Sequence, residues 1–409
     1  MSPRRVLAVL AAAELCGMAP WFSASAVAPT LAQLWRLGPA GGGGGAAWLT
    51  ISVQLGFVAG ALVSAILTLS DRWSARRLFA AAAALAAGAT LGVAFAPGAK
   101  AAIALRMLTG AALAGVYPPG MKIAAGWFRD GRGLAIGTLV GALTLGSAAP
   151  HLVRWAVPAA AWRPVLFVAA GSALAGALLV LLVPHDGPFA EPAPAFSWSA
   201  APRILADRAV SLANLGYLGH MWELYAMWTW MAAFVAASEG ARAGDVSTVG
   251  GAGGVAALVT FTVVGSGAVG CWLGGKYADR WGRTLVTTVA MAVSGTCALT
   301  VGALFGRPLA ALGPVLLIWG VTVVADSAQF SAAVSELAPR QLVGTALTLQ
   351  TSLGFLLTCL TIYLLPWVAG RIGWRWSMSV LAVGPAAGVW AMLALRRRPE
   401  AAALAGGRR

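Results

Sequence analysis

Glu14-Leu15-Cys16-Gly17-Met18-Ala19-Pro20-Trp21 lies in an apolar block at the start of the chain. Half the chain later, Glu223-Leu224-Tyr225-Ala226-Met227-Trp228-Thr229-Trp230 repeats its glutamate, leucine, methionine and tryptophan at a constant offset of 209. An ionisable side chain inside a membrane span is costly and is usually kept for function. Finding it twice in register marks a chain built by internal duplication. Inverted or parallel repeats of this kind are the sequence mark of membrane transporters.

Working outward, 59% of the 409 residues are hydrophobic and 10% charged, with a mean hydropathy of +0.81. Soluble domains carry roughly a quarter charged residues, so a soluble protein is excluded. The apolar residues fall into twelve blocks of membrane-spanning length: about 6–30, 46–69, 78–96, 101–122, 133–153, 164–183, 209–236, 250–273, 285–305, 309–331, 343–368 and 376–395. The Pro-rich interruption between Pro184 and Arg208 divides them six and six. The reading is an all-α membrane protein of twelve transmembrane helices in two pseudo-symmetric halves. Residues 1–183 form the first half, 184–208 a linker, 209–395 the second half and 396–409 a basic tail.

The net charge of +15 reflects basic residues set between apolar blocks. It points to orientation in a membrane rather than to nucleic acid. With the N-terminus cytoplasmic, that side holds nineteen Lys and Arg against eight outside, and Arg106 is left within a span. Both termini are expected in the cytoplasm, and a bacterial inner membrane is the expected location. Arg4-Arg5, an apolar run and small residues near Ser23 resemble a signal peptide, but Glu14 and Pro20 interrupt the pattern, so the segment reads as retained. Gly41–Gly45 reads as a loop, since no Lys-Ser/Thr follows it. The four cysteines are far apart and lie in apolar blocks, which suits free thiols.

Gly274-Gly275-Lys276-Tyr277-Ala278-Asp279-Arg280-Trp281-Gly282-Arg283 follows span eight, and Leu69-Ser70-Asp71-Arg72-Trp73-Ser74-Ala75-Arg76-Arg77 follows span two at an offset of 208. This paired Gly-x-x-x-Asp-Arg-x-Gly-Arg loop resembles the signature of the major facilitator superfamily. The first copy is degenerate, with Thr68 and Ser74 in place of glycines. The resemblance implies a cytoplasmic gating latch built from Asp71, Arg72, Gly275, Asp279, Arg280 and Arg283. A carboxylate beside a helix N-terminus and arginines to pair with it suit that role. The plainer alternative is a set of positive-inside anchors. Arg106 with Gly110, Gly115 and Gly120 resembles the family's fourth-helix pattern, in which small residues permit close helix contact. A buried arginine needs an acid, a carbonyl or a bound anion as partner.

In this superfamily spans one, four, seven and ten line the central cavity. Glu14, Met18 and Trp21 share one helical stripe, as do Glu223, Met227 and Trp230 with His220. Asp326, near Gln329, adds an acid on span ten. Acids facing a partly dry cavity can exchange protons near neutrality. The expected solute and proton site is therefore Glu14, Trp21, Arg106, His220, Glu223, Tyr225, Trp230 and Asp326. Glu223 with His220 is the favoured pair and Glu14 the more structural partner. The alternative is that the same groups lock helices together. Trp222, Tyr225, Trp228 and Trp230 could cage an aromatic or cationic solute or serve as packing.

The expected function is a proton-coupled secondary transporter of a small solute working by alternating access, as a monomer and without a cofactor. No phosphate loop, metal-protease helix or nucleophile elbow is present, so the chain does not read as an enzyme. A minority reading is a copper or other soft-metal importer with Met227, Met231 and His220 as ligands. Another is a non-transporting, transporter-like sensor. Nitrate- and cyanate-type carriers also resemble the chain, but spans two and eight lack the arginines of the nitrate carriers.

Overall fold

In a computed structural model, described for all residues except 38–44, 129–130, 159, 191–195, 244–252 and 409 and the side chains of Ser70, Asp71 and Arg132, the chain folds as twelve spans. Most of the Gly41–Gly45 loop, the middle of the 184–208 linker and the first residues expected in span eight lie outside the described residues. Helices are forced on such segments because hydrocarbon offers no partner for the backbone, so every N–H and C=O must be satisfied within the segment.

The first half comprises span one (Pro3–Met18, then turns and Ala28–Leu34), span two (Trp48–Ile66), span three (Ala75–Val93), span four (Ala99–Leu113 and Tyr117–Trp127), span five (Arg132–Ala156) and span six (Arg163–Val180). The second comprises span seven (Arg208–Ala243), span eight (Gly254–Trp281), span nine (Arg283–Thr300), span ten (Leu309–Thr322 and Ser327–Leu337), span eleven (Val343–Ile372) and span twelve (Trp374 to Arg396). Ten of these are long and apolar enough to cross a bilayer on hydropathy alone. The other two, spans one and seven, are the ones that carry the matched glutamates.

The halves pack as copies of each other. Spans two and four, three and six, one and six, and one and five contact in the first half. Eight and ten, nine and twelve, seven and twelve, and seven and eleven contact in the second. Spans five with eight and two with eleven join the halves. Spans four and ten break at matching places, between Leu113 and Tyr117 and between Thr322 and Ser327. Span one also breaks, after Met18, whereas span seven runs on for 36 residues. Gly17 and Pro20 account for this difference, because glycine weakens a helix and proline removes a ladder donor.

Small residues close the two-four and eight-ten seams. A Cβ on Gly110 would strike the Val53 carbonyl, and one on Gly320 would strike the Val263 carbonyl. These positions are 210 residues apart, so the seam was duplicated with the bundle. Gly110→Val is expected to cost more than about 3 kcal/mol through overpacking against backbone that cannot yield. Gly171, with nothing within 4 Å of its Cβ direction, should accept valine. Recovery of monodisperse protein in detergent checks both, and equal recovery of the two variants would contradict the seam.

Candidate functional site

Span one delivers Glu14 to a position between spans three and four of its own half. The side chain is fully buried, and neither carboxylate oxygen has a hydrogen-bond partner among the described residues. Gly120 makes the room: a Cβ there would sit 2.5 Å from Glu14 Oε2 and 3.5 Å from the Phe79 ring.

Its twin has the equivalent address in the other half and a different chemistry. Glu223 turns between spans nine and ten, where Oε2 accepts from Ser294 Oγ at 2.8 Å and Oε1 from Trp319 Nε1 at 2.7 Å. Both oxygens are therefore engaged by neutral donors. His220, expected beside Glu223, faces Asp326 instead, with Nδ1 2.9 Å from Oδ1. That is a close contact without hydrogen-bond alignment, and among the described residues His220 Nε2 also lacks a partner. Asp326 stands at the break in span ten, at the N-cap position of its second piece but without a side-chain capping bond. The two stripes thus do not face one shared cavity: each glutamate is sunk in its own half.

The middle is aromatic. Trp21 packs on Phe57, Tyr225 and Phe355, with ring centroids 5.1, 5.7 and 5.5 Å away. Phe57 and Phe355 meet at 4.5 Å across spans two and eleven. Such tilted pairs are favourable beyond the area they bury. Tyr217 lies against His220 and Phe330, with ring centroids 6.1 Å away in each case. Trp230 is not part of this centre. Its Nε1 donates to the Ile362 carbonyl at 2.9 Å, and its ring lies against Trp374. Phe57, Tyr117, Tyr217, Trp319 and Phe355 were not singled out from the sequence. Three of the five tyrosines, Tyr117, Tyr217 and Tyr225, fall on spans four and seven, which was a usable signal.

Arg106 finds carbonyl partners. Its Nε donates to Leu49 O at 3.1 Å, one terminal nitrogen to Pro20 O at 2.6 Å and Ser23 Oγ at 3.3 Å, and the other to Trp21 O. The guanidinium therefore holds the bend that breaks span one. Met227 and Met231 are buried in the core. Among the described residues no three His, Cys, Asp or Glu cluster as metal ligands.

At the face that carries both chain ends, Asp279 reaches across the halves. A Cβ on Gly133, in the first turn of span five, would lie 2.7 Å from Asp279 Oδ2, which places the carboxylate at a helix N-terminus. A Cβ on Gly275 would lie 2.7 Å from the Gly133 carbonyl. Arg283 forks onto Glu336 at 2.8 and 2.6 Å and donates to Gln329 at 2.8 Å, with Asp279 only at 4.0 Å. Arg72 and Arg280 are exposed, and the Asp71 side chain lies outside the described residues. In the first half Asp186, missed in the sequence, caps span three. It accepts from the Ala75 and Arg76 amides at 2.9 and 3.1 Å and from Ser74 Oγ at 3.3 Å.

Against known proteins, the Major Facilitator Superfamily model matches residues 10–362. The human organic anion transporter MFSD10 (TETRAN) superposes with a TM-score of 0.71 at 16% identity, covering 96% of this chain and 100% of that one. The proton:xylose symporter XylE gives 0.69 at 14%, covering 96% and 94%. A point mutant of the nucleoside transporter NupG gives 0.67 at 15%, covering 95% and 99%. No curated protein matches in sequence. At such identities the structures speak for the fold alone. That fold is one of secondary transporters, multi-pass proteins of the bilayer that bind small solutes, rather than of enzymes. The matched family model, the twelve spans and the duplicated halves agree: the chain belongs to the major facilitator superfamily.

Proposed function

We propose that the protein is a proton-coupled transporter of a small, non-anionic solute in a bacterial inner membrane, with both termini cytoplasmic and Glu14 as the group that takes the coupling proton. The supporting observation is the inequality of the twin glutamates. Glu223 is held by two hydrogen bonds, whereas Glu14 is fully buried with neither oxygen partnered among the described residues. A bare, ionised carboxylate is costly in a dry interior, and a proton removes that cost. Proton binding at Glu14 is thereby tied to whether its surroundings are closed or hydrated, which is the linkage a coupled carrier needs. The His220–Asp326 pair is a second candidate on the route, one helix over.

The charge of the solute follows from the arginines. Among the described residues the two buried ones, Arg106 and Arg154, both donate to backbone carbonyls. An anion would find no free buried cation, while the aromatic centre suits a neutral or cationic body.

A thermal-shift screen of metabolites and metals identifies the solute, because a ligand of the folded state raises apparent stability. Proteoliposomes with an internal pH dye then test the coupling. Labelled-solute exchange accompanied by a pH change is expected. Exchange at constant pH would overturn proton coupling, and binding without any exchange would favour the sensor reading.

A further inference from the structure

Each half ends in a segment that turns back under its own bundle. After span six, the Val183 carbonyl accepts from Arg76 at 2.8 Å, His185 stacks on Trp127 at 4.7 Å, and Asp186 caps span three. After span twelve, Pro399–Gly407 does the same for the second half. Ala401 and Leu404 are completely buried. The chain then reverses through Ala405, Gly406 and Gly407 at φ of +47°, +65° and +96°. This turn aims the Ala405 N–H at Glu336 Oε2, 3.0 Å away. The same oxygen accepts from Arg283 Nε. Arg408 donates to the carbonyl of Asp279, the residue whose carboxylate reaches span five.

We propose that residues 399–408 are a brace on the latch. They fix the orientation of Asp279 and Glu336 and so hold the termini face closed, and their release accompanies its opening. The tail is then a control element, since anything that binds or modifies it would shift the balance between the closed and open forms. Three features carry this. Two apolar side chains are fully withdrawn from solvent in what composition marks as a polar tail. A non-glycine residue takes a left-handed conformation, which is disfavoured for L-residues and persists only where its surroundings demand it. One hydrogen bond ends on Asp279 and the other on Glu336, the carboxylate that holds Arg283.

The molecule carries its own reporters. Cys271 is buried between spans eight and five, 3.8 Å from Thr144 of the other half, so parting of the halves exposes it. Cys297 is buried on span nine inside the second half and serves as the control for unfolding. A chain ending at Arg398 and a full-length Ala405→Pro variant each remove the brace. Proline has no N–H and cannot adopt the left-handed φ found at this position. In lipid nanodiscs, N-ethylmaleimide labelling followed by peptide mass spectrometry should show Cys271 reacting about tenfold faster in both variants, the shift expected from losing one charge-assisted hydrogen bond. Cys297 should keep its parent rate. Parent-like rates at Cys271 in either variant, or an equal rise at both cysteines, would overturn the brace.

Discussion

Glu14→Gln is expected to abolish solute-driven proton movement, to less than about a tenth of the parent rate, while labelled solute still exchanges. The amide has the same shape, so Gly120 and Phe79 accommodate it, and no hydrogen bond is lost because the carboxylate makes none with the described residues. Stability should stay within about 0.5 kcal/mol of the parent. Glu223→Gln should behave in the opposite way. Ser294 and Trp319 both donate to that carboxylate, and an amide offers only one acceptor oxygen. One donor is then left facing an NH2 group, at a cost of about 1–3 kcal/mol in stability with coupling retained. Dye-loaded proteoliposomes give the proton flux, and detergent melting curves give the stability. If Glu14→Gln pumps protons as well as the parent, the coupling group lies elsewhere. If Glu223→Gln alone stops them, it lies in the second half.

The largest structural effect is expected at Arg106. Arg106→Met removes the charge but fills most of the space, taking the charged donor from the carbonyls of Trp21, Leu49 and Pro20, of which Pro20 keeps Ser23 Oγ at 2.8 Å. Each hydrogen bond to a charged donor contributes about 1.5–3 kcal/mol. A loss of about 3–6 kcal/mol is therefore expected, comparable with the whole margin of a typical fold. Arg106→Lys should recover only part of this, because an ammonium is a point donor and cannot reproduce a planar fork spread over three carbonyls. The readout is the fraction of monodisperse protein remaining after a temperature series. A methionine variant as heat-resistant as the parent would show that solvent or lipid replaces the arginine at the bend.

The twelve spans and the duplication were legible because each leaves a local mark: apolar length and a fixed offset. The direction in which a side chain points was less so. Glu14, Met18 and Trp21 share a stripe only if the helix continues, and span one breaks at Met18. Trp21 is thereby carried into the aromatic centre while Glu14 stays within its own half. Trp230, on an unbroken helix, never makes that turn and bonds to Ile362. Likewise His220 lies one turn from Glu223, yet that acid is claimed by Trp319 from 96 residues away. Nothing in the local sequence announces that claim. Asp186, 111 residues from the Ala75 amide it caps, was hidden for the same reason.

The bend in span one has a consequence for how the chain is made. Its Trp21 carbonyl lies 85 residues ahead of the arginine that satisfies it. A nascent chain emerging into the bilayer therefore presents a first helix that cannot settle until the fourth has followed it, because hydrocarbon tolerates no bare carbonyl. Insertion of the first half is in this sense a single event. Span one must wait, in the insertion machinery or at the interface, for Arg106 to arrive. Chains stalled before Arg106 should remain extractable from the membrane, and chains stalled beyond the end of span four should not.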